Sequence, residues 1–299
     1  ARSEVELTSL RRQNTELLDT VNRGFAMRLI DSESLPAPPP EIVLLEASPP
    51  KLKLRLLGPF EAHGGDLPIT SWPGRKARLL LAYLAMERGR MVPKDVLIEL
   101  FWPGARADRG ANNLSIAIYQ IRSSLAAVSA EAAQAITVRQ GLYGLDASRV
   151  EVDLWELQAG LEKARHALLE QKDRATIQAL LRSAVDLCRG ELMASDPYEE
   201  WIVEPRRTLG AAWHQALTWL ATDASIQADW LGVLDFAGQI VQRDPCDEAA
   251  HRLLINAHLR MGNRSQAAQQ YQACVEILQN ELGVRPSRET LALAERLKD

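Results

Sequence analysis

At 299 residues the chain exceeds what one small core organises, so two or three domains are expected. Its 46% hydrophobic and 25% charged residues exclude wholesale disorder; no apolar run approaches the ~18 residues that cross a bilayer, and no signal-peptide pattern opens it. The net charge of −4 is unevenly spread: residues 51–150 hold fourteen Lys and Arg against eight Asp and Glu, and residues 151–299 hold sixteen against twenty-three. A basic block beside acidic ones is expected where one part meets phosphate and others meet protein. Cys188, Cys246 and Cys274 include no CxxC pair and read as reduced thiols of a cytoplasmic protein. The first residue is Ala1 rather than Met, which is expected of a piece of a longer polypeptide.

Residues 1–34 read as an amino-terminal helix. Leu7, Leu10, Asn14, Leu17 and Val21 follow spacings of 3, 4, 3 and 4, a coiled-coil seam in which a single Asn favours an in-register parallel pair. An amphipathic helix packed on its own protein is the alternative. Residues 35–50 carry Pro36, Pro38, Pro39, Pro40, Pro49 and Pro50; proline removes backbone donors and fixes φ, so this is a semi-stiff linker.

From residue 51 the pattern becomes strand-like. Residues 51–56 alternate basic and apolar side chains, and 60–62 and 67–70 flank a turn at 63–66. Three helices are expected over 74–87, 93–101 (Pro93 in the first turn) and 108–128, then a hairpin of 136–138 and 142–145 turning across Arg139-Gln140-Gly141. This order is that of a winged helix, whose third helix enters the major groove while the hairpin meets the backbone. On the third helix Leu114, Ile118, Ile121 and Leu125 recur at spacings of 4, 3 and 4 and must face the core. Asn112, Asn113, Ser115, Ile116, Tyr119 and Gln120 are then the candidate base-reading residues: amides suit adenine, and an Ile suits a thymine methyl. Arg75, Lys76, Lys94, Arg109, Arg122 and Arg139 are candidate phosphate contacts. No acidic residue lies between Arg109 and Val128, whereas a solvated helix face usually carries some for helix pairing.

Beyond residue 150 the pattern is helical throughout. Gly262, Ala267, Tyr271 and Cys274 occupy the small, small, aromatic and small positions of a tetratricopeptide repeat; the preceding unit, with Trp230 and Ala237, fits loosely. Trp201, Trp213, Trp219 and Trp230 read as bundle core, and a subset lining a partner or effector groove is the alternative. His251 and His258 stand seven residues apart, where a metal site prefers i, i+4 or paired cysteines, so neither a metal nor another cofactor is expected. No nucleophile–base pair stands out, and Asp153 and Glu156 read as helix-start residues; an enzyme is not expected.

Several segments in order resemble the Streptomyces antibiotic regulatory protein family: Gly74-Arg75-Lys76-Ala77-Arg78-Leu79-Leu80, Glu99-Leu100-Phe101-Trp102-Pro103, Ala111-Asn112-Asn113-Leu114, Gly141-Leu142-Tyr143-Gly144-Leu145, Val152-Asp153-Leu154-Trp155 and Pro197-Tyr198-Glu199-Glu200-Trp201. The resemblance covers roughly residues 52–299. It implies a mainly α protein with a small antiparallel β component: an OmpR-type winged helix over 51–150, then a tetratricopeptide-like bacterial transcriptional activator domain over 151–299. It also implies an activator that binds promoter direct repeats in double-stranded DNA as side-by-side protomers and helps recruit RNA polymerase or its sigma factor. The chain departs from the family's short form in its amino-terminal helix and linker, and in Gln120, where relatives often carry a basic residue. It has no GxxxxGK[ST] loop. A protein-interaction or effector-binding scaffold is the competing expectation, with an upstream sensor or small effector as the signal.

Overall fold

The computed structural model describes residues 52–298; the seam from Leu7 to Val21 and the proline segment lie outside the described residues. These divide into two compact units, one of 52–162 with 186–209, the other of 163–185 with 210–298.

In the first unit β1 (Leu52–Arg55) pairs antiparallel with β2 (Glu61–Gly64), which pairs with β3 (Leu67–Pro68). Leu52 and Leu54 are buried while Arg55 is exposed, the period-2 division that one-sided burial imposes. A two-residue turn at Gly65-Asp66 joins β2 to β3, tighter than the four residues expected, with Gly65 left-handed at φ 64°. Next come α1 (Arg75–Met86), β4 (Val92–Pro93), α2 (Lys94–Phe101) and α3 (Ala107–Ala126). The expected core stripe of α3, Leu114, Ile118, Ile121 and Leu125, is buried. Gly110 lets α3 cross α2 closely, since a Cβ there would lie 2.5 Å from Ile98 Cγ2. After a one-turn α4 (Ala130–Ala133) comes the wing, β5 (Ile136–Arg139) and β6 (Leu142–Leu145). Gln140 and Gly141 both take positive φ, 49° and 78°, as the two central residues of a type I′ hairpin turn must.

Two expectations need correction. Pro93 does not open α2: its φ and ψ of −62° and 143° are extended, and it pairs with Leu142 so that β4 adds a third strand to the wing in the order β4-β6-β5. The chain beyond 150 is also not wholly helical. β7 (Val150–Val152) lies parallel to β1, completing a sheet of order β3-β2-β1-β7.

Two stretches beyond β7 also belong to the first unit. Asp153 opens α5 (Asp153–Leu169), as its sequence suggested, but its carboxylate also accepts from the amides of Leu56 (2.8 Å) and Leu57 (3.1 Å) just past β1. Burial pushes that carboxyl up while the amide donors pull it back. Segment 186–199 continues the pairing: Met193 N–H donates to Leu56 at 2.8 Å and Ala194 N–H to Gly58 at 3.0 Å. Asp196 is 1% exposed and takes both oxygens to Arg78 at 2.8 Å, with Arg75 Nε at 3.2 Å.

The second unit holds the remainder of α5 and of α7 (Glu200–Ile226), with α6 (Arg174–Val185), α8 (Trp230–Arg243), α9 (Glu248–Arg260), α10 (Arg264–Ile277) and α11 (Arg288–Lys298). Asp229 and Asp247 cap α8 and α9 by accepting from Gly232 N–H (3.0 Å) and Ala250 N–H (2.8 Å). Gly262 makes the α9–α10 turn at φ 78°, Ala267 and Cys274 are fully buried, and Tyr271 packs on the core that Ala267 shares with Ile255 and Leu293. Burial pushes the Cys274 thiol up to about 11. Trp219 and Trp213 are buried as expected. His251 contacts the Pro245 carbonyl at 3.0 Å and Gln270 at 2.7 Å.

Candidate nucleic-acid interface

The outward face of α3 is the candidate surface. Opposite the buried stripe, Asn112, Ser115, Ile116 and Tyr119 lie away from the core, Ile116 and Tyr119 at 46% and 73% exposure. A half-exposed Ile beside a Tyr on a solvated helix is an unsatisfied apolar surface, and its neighbours are uncharged polar groups of the kind that read base edges. Asn113 and Gln120 flank them, and the Gln120 amide lies near Gly74 at the start of α1. Ser115 Oγ donates to the Ala111 carbonyl at 2.9 Å, one turn back. Arg106 occupies the N-cap of α3, where no side chain caps the first-turn amides, and Asp108 stands in that first turn between Arg106 and Arg109.

The six candidate phosphate contacts fall into two groups. Lys94, Arg109 and Arg139 are exposed and make no ion pair or side-chain hydrogen bond with a described residue. Lys94 starts α2 beside the wing, its amide donating to the Gly141 carbonyl at 2.9 Å; Arg139 is on the wing. The other three are engaged within the protein. Arg75 reaches Asp196 and Glu199 (2.7 Å to the latter). Lys76 Nζ donates to the carbonyl of Phe101, the last residue of α2, and lies 5.3 Å from the Trp102 ring centroid. Arg122 Nη2 donates to the Ile136 carbonyl at 3.1 Å, tying α3 to the first wing strand. Arg106, exposed and without a described partner, was not among the sequence candidates, although its place ahead of a helix in a basic block could have marked it.

Residues 152–298 match the model of the bacterial transcriptional activator domain. The regulatory protein AfsR of Streptomyces griseus is 28% identical over 258 residues, 85% of this chain and 25% of its own length. The regulatory protein DnrI of Streptomyces peucetius is 25% identical over 242 residues, 79% of this chain and 88% of its own. This chain therefore spans about a quarter of AfsR but most of DnrI. Among solved structures, Mycobacterium tuberculosis EmbR in complex with a low-affinity phosphopeptide superposes with a TM-score of 0.54 at 23% identity, over 83% of this chain and 65% of that one, and shares its fold. Residues 152–298 are thus similar to the bacterial transcriptional activator domain, and with a winged helix leading directly into them the chain resembles these Streptomyces regulatory proteins along most of its length.

Proposed function

We propose that the protein is a sequence-specific DNA-binding transcription activator and not an enzyme. The observation that carries the reading is the outward face of α3, uncharged at its centre, with Tyr119 73% exposed above a fully buried opposite stripe. In this reading Asn112, Asn113, Ser115, Ile116, Tyr119 and Gln120 meet base edges. Lys94, Arg106, Arg109 and Arg139 meet phosphates from the start of α2, both sides of the α3 amino terminus and the wing. Arg75, Lys76 and Arg122 act one step back, fixing α1, α2 and the wing around the reading helix. With so few free cations per protomer, affinity comes from protomers side by side on direct repeats, and the helical unit supplies protomer contacts and a surface for RNA polymerase. The regulatory names of its relatives support the same reading.

Mobility shifts on fragments recovered by selection from random DNA, repeated across salt concentrations, test it. Asn112→Ala with Tyr119→Ala is expected to cost about 1–3 kcal/mol per lost base contact. Arg139→Ala is expected to weaken all sequences alike and reduce the salt slope by about 1. Unchanged affinity and slope in all these variants would remove α3 as the reading helix.

A further inference from the structure

A cavity of about 350 Å³ opens inside the unit that carries the winged helix, walled by α1, the end of α2, α5 and the first turns of α7. Leu154, Leu192, Leu209 and Trp201 make most of its lining apolar. Among its polar lining residues (Tyr83, Glu87, Arg90, Glu204, Thr208 and Gln158), Gln158 is the buried one: it is 9% exposed, and its Oε1 has no hydrogen-bond partner among the described residues. A buried amide oxygen is costly unless something donates to it. A turn into α7, Pro205 has no N–H to give the carbonyl of Trp201, so a second acceptor beside the same wall lacks its helical donor. Burial and the Glu87 carboxylate push the Tyr83 phenol up to about 12, so its hydroxyl stays protonated.

We infer that this cavity is a binding site for a small, neutral, one- or two-ring hydrophobic molecule carrying a hydroxyl group, held through the side-chain amide of Gln158. The volume lies at the lower end of small-molecule pockets. The charges in its lining are already paired, Glu87 with Arg90 at 2.7 Å and Glu204 with Arg207 at 2.6 Å, so nothing inside repays the desolvation of a charged ligand. A hydroxyl both donates and accepts, and so pairs with an amide in either orientation. Tyr83 and Leu100 stand on α1 and α2, the helices that hold α3, so occupancy bears on DNA binding; that consequence alone rests on the function proposed above.

Two probes of nearly the same shape, 2-naphthol and 2-methylnaphthalene, test the site by calorimetric titration of the full chain without DNA. Saturable binding is expected, with 2-naphthol about five- to tenfold tighter, the worth of one net hydrogen bond. Gln158→Leu is expected to retain the hydrocarbon and lose the preference. Leu209→Trp fills the space and abolishes both, with Thr208→Trp as the second filling variant and circular dichroism reporting folding. No saturable binding below millimolar concentration, a hydroxyl preference that survives Gln158→Leu, or probe binding that survives both filling variants would overturn the assignment. Mobility shifts of the unliganded protein report the DNA-binding reading separately.

Discussion

Gly110→Ala sets two physical effects of opposite sign against each other. Inside a helix, Ala is favoured over Gly by about 1 kcal/mol. Here the new Cβ would sit 2.5 Å from Ile98 Cγ2, about 1 Å inside the 3.4 Å at which ordinary contact begins. Ile98 Cβ and Cδ1 lie 3.6 Å from the same point, so rotating the Ile side chain brings another atom in, and relief requires α2 and α3 to separate. Overpacking of this kind costs about 1–3 kcal/mol, and the expected net effect is destabilisation by about 1 kcal/mol. Urea denaturation followed by circular dichroism measures it. Pairing the change with Ile98→Ala should recover the propensity gain, so the double variant is more stable than the sum of the two singles predicts. If Gly110→Ala alone stabilises the protein by about 1 kcal/mol, helix propensity has won and the close crossing is not a constraint.

Asp196→Ala removes a buried carboxylate shared by two guanidinium groups. A broken buried pair costs about 3–5 kcal/mol, discounted to about 2–3 because Arg75 and Arg78 keep partial access to water; urea denaturation that finds less than 1 would show the clamp to be ornamental. Arg75→Ala, an exposed partner, should cost under about 1 kcal/mol in the same assay. Among five tyrosines, Tyr83 should titrate last in absorbance at 295 nm, near pH 12. Its folded value lies above the unfolded one, so its contribution to stability is complete below pH 10 and lost as pH rises towards 12; Tyr83→Phe should remove that part of the alkaline loss.

Long periodic segments were the legible part of the sequence. The 4, 3, 4 spacing of α3 placed its core stripe because twenty residues average out local accidents. Strands of two and three residues, β4 and β7, have too few positions for a period to show, and Pro93 looks like a helix start from either side. At the candidate site, sequence marked Arg75, Lys76 and Arg122 as free cations. Their partners are an aspartate 121 residues away and two carbonyls, and no spacing rule reports such pairs. Asp153 has the same character: its place at the start of its own helix is visible in sequence, and the two amides it accepts from beyond β1 are not.

Those amides have a consequence for the order in which the molecule is made. The loop leaving β1 is completed by Asp153 and by residues up to Ala194, and α1 is secured by Asp196. When Val150 leaves the ribosome, the wing and α3 have all been synthesised, yet the sheet has an open edge and the Leu56 and Leu57 amides lack an acceptor. At 5–20 residues per second, about 3–12 s pass before residue 209 follows it out. During that interval the nascent winged helix is an unfinished fold with an unpaired strand, and it becomes a stable unit only once a segment of the activator domain has been delivered to it.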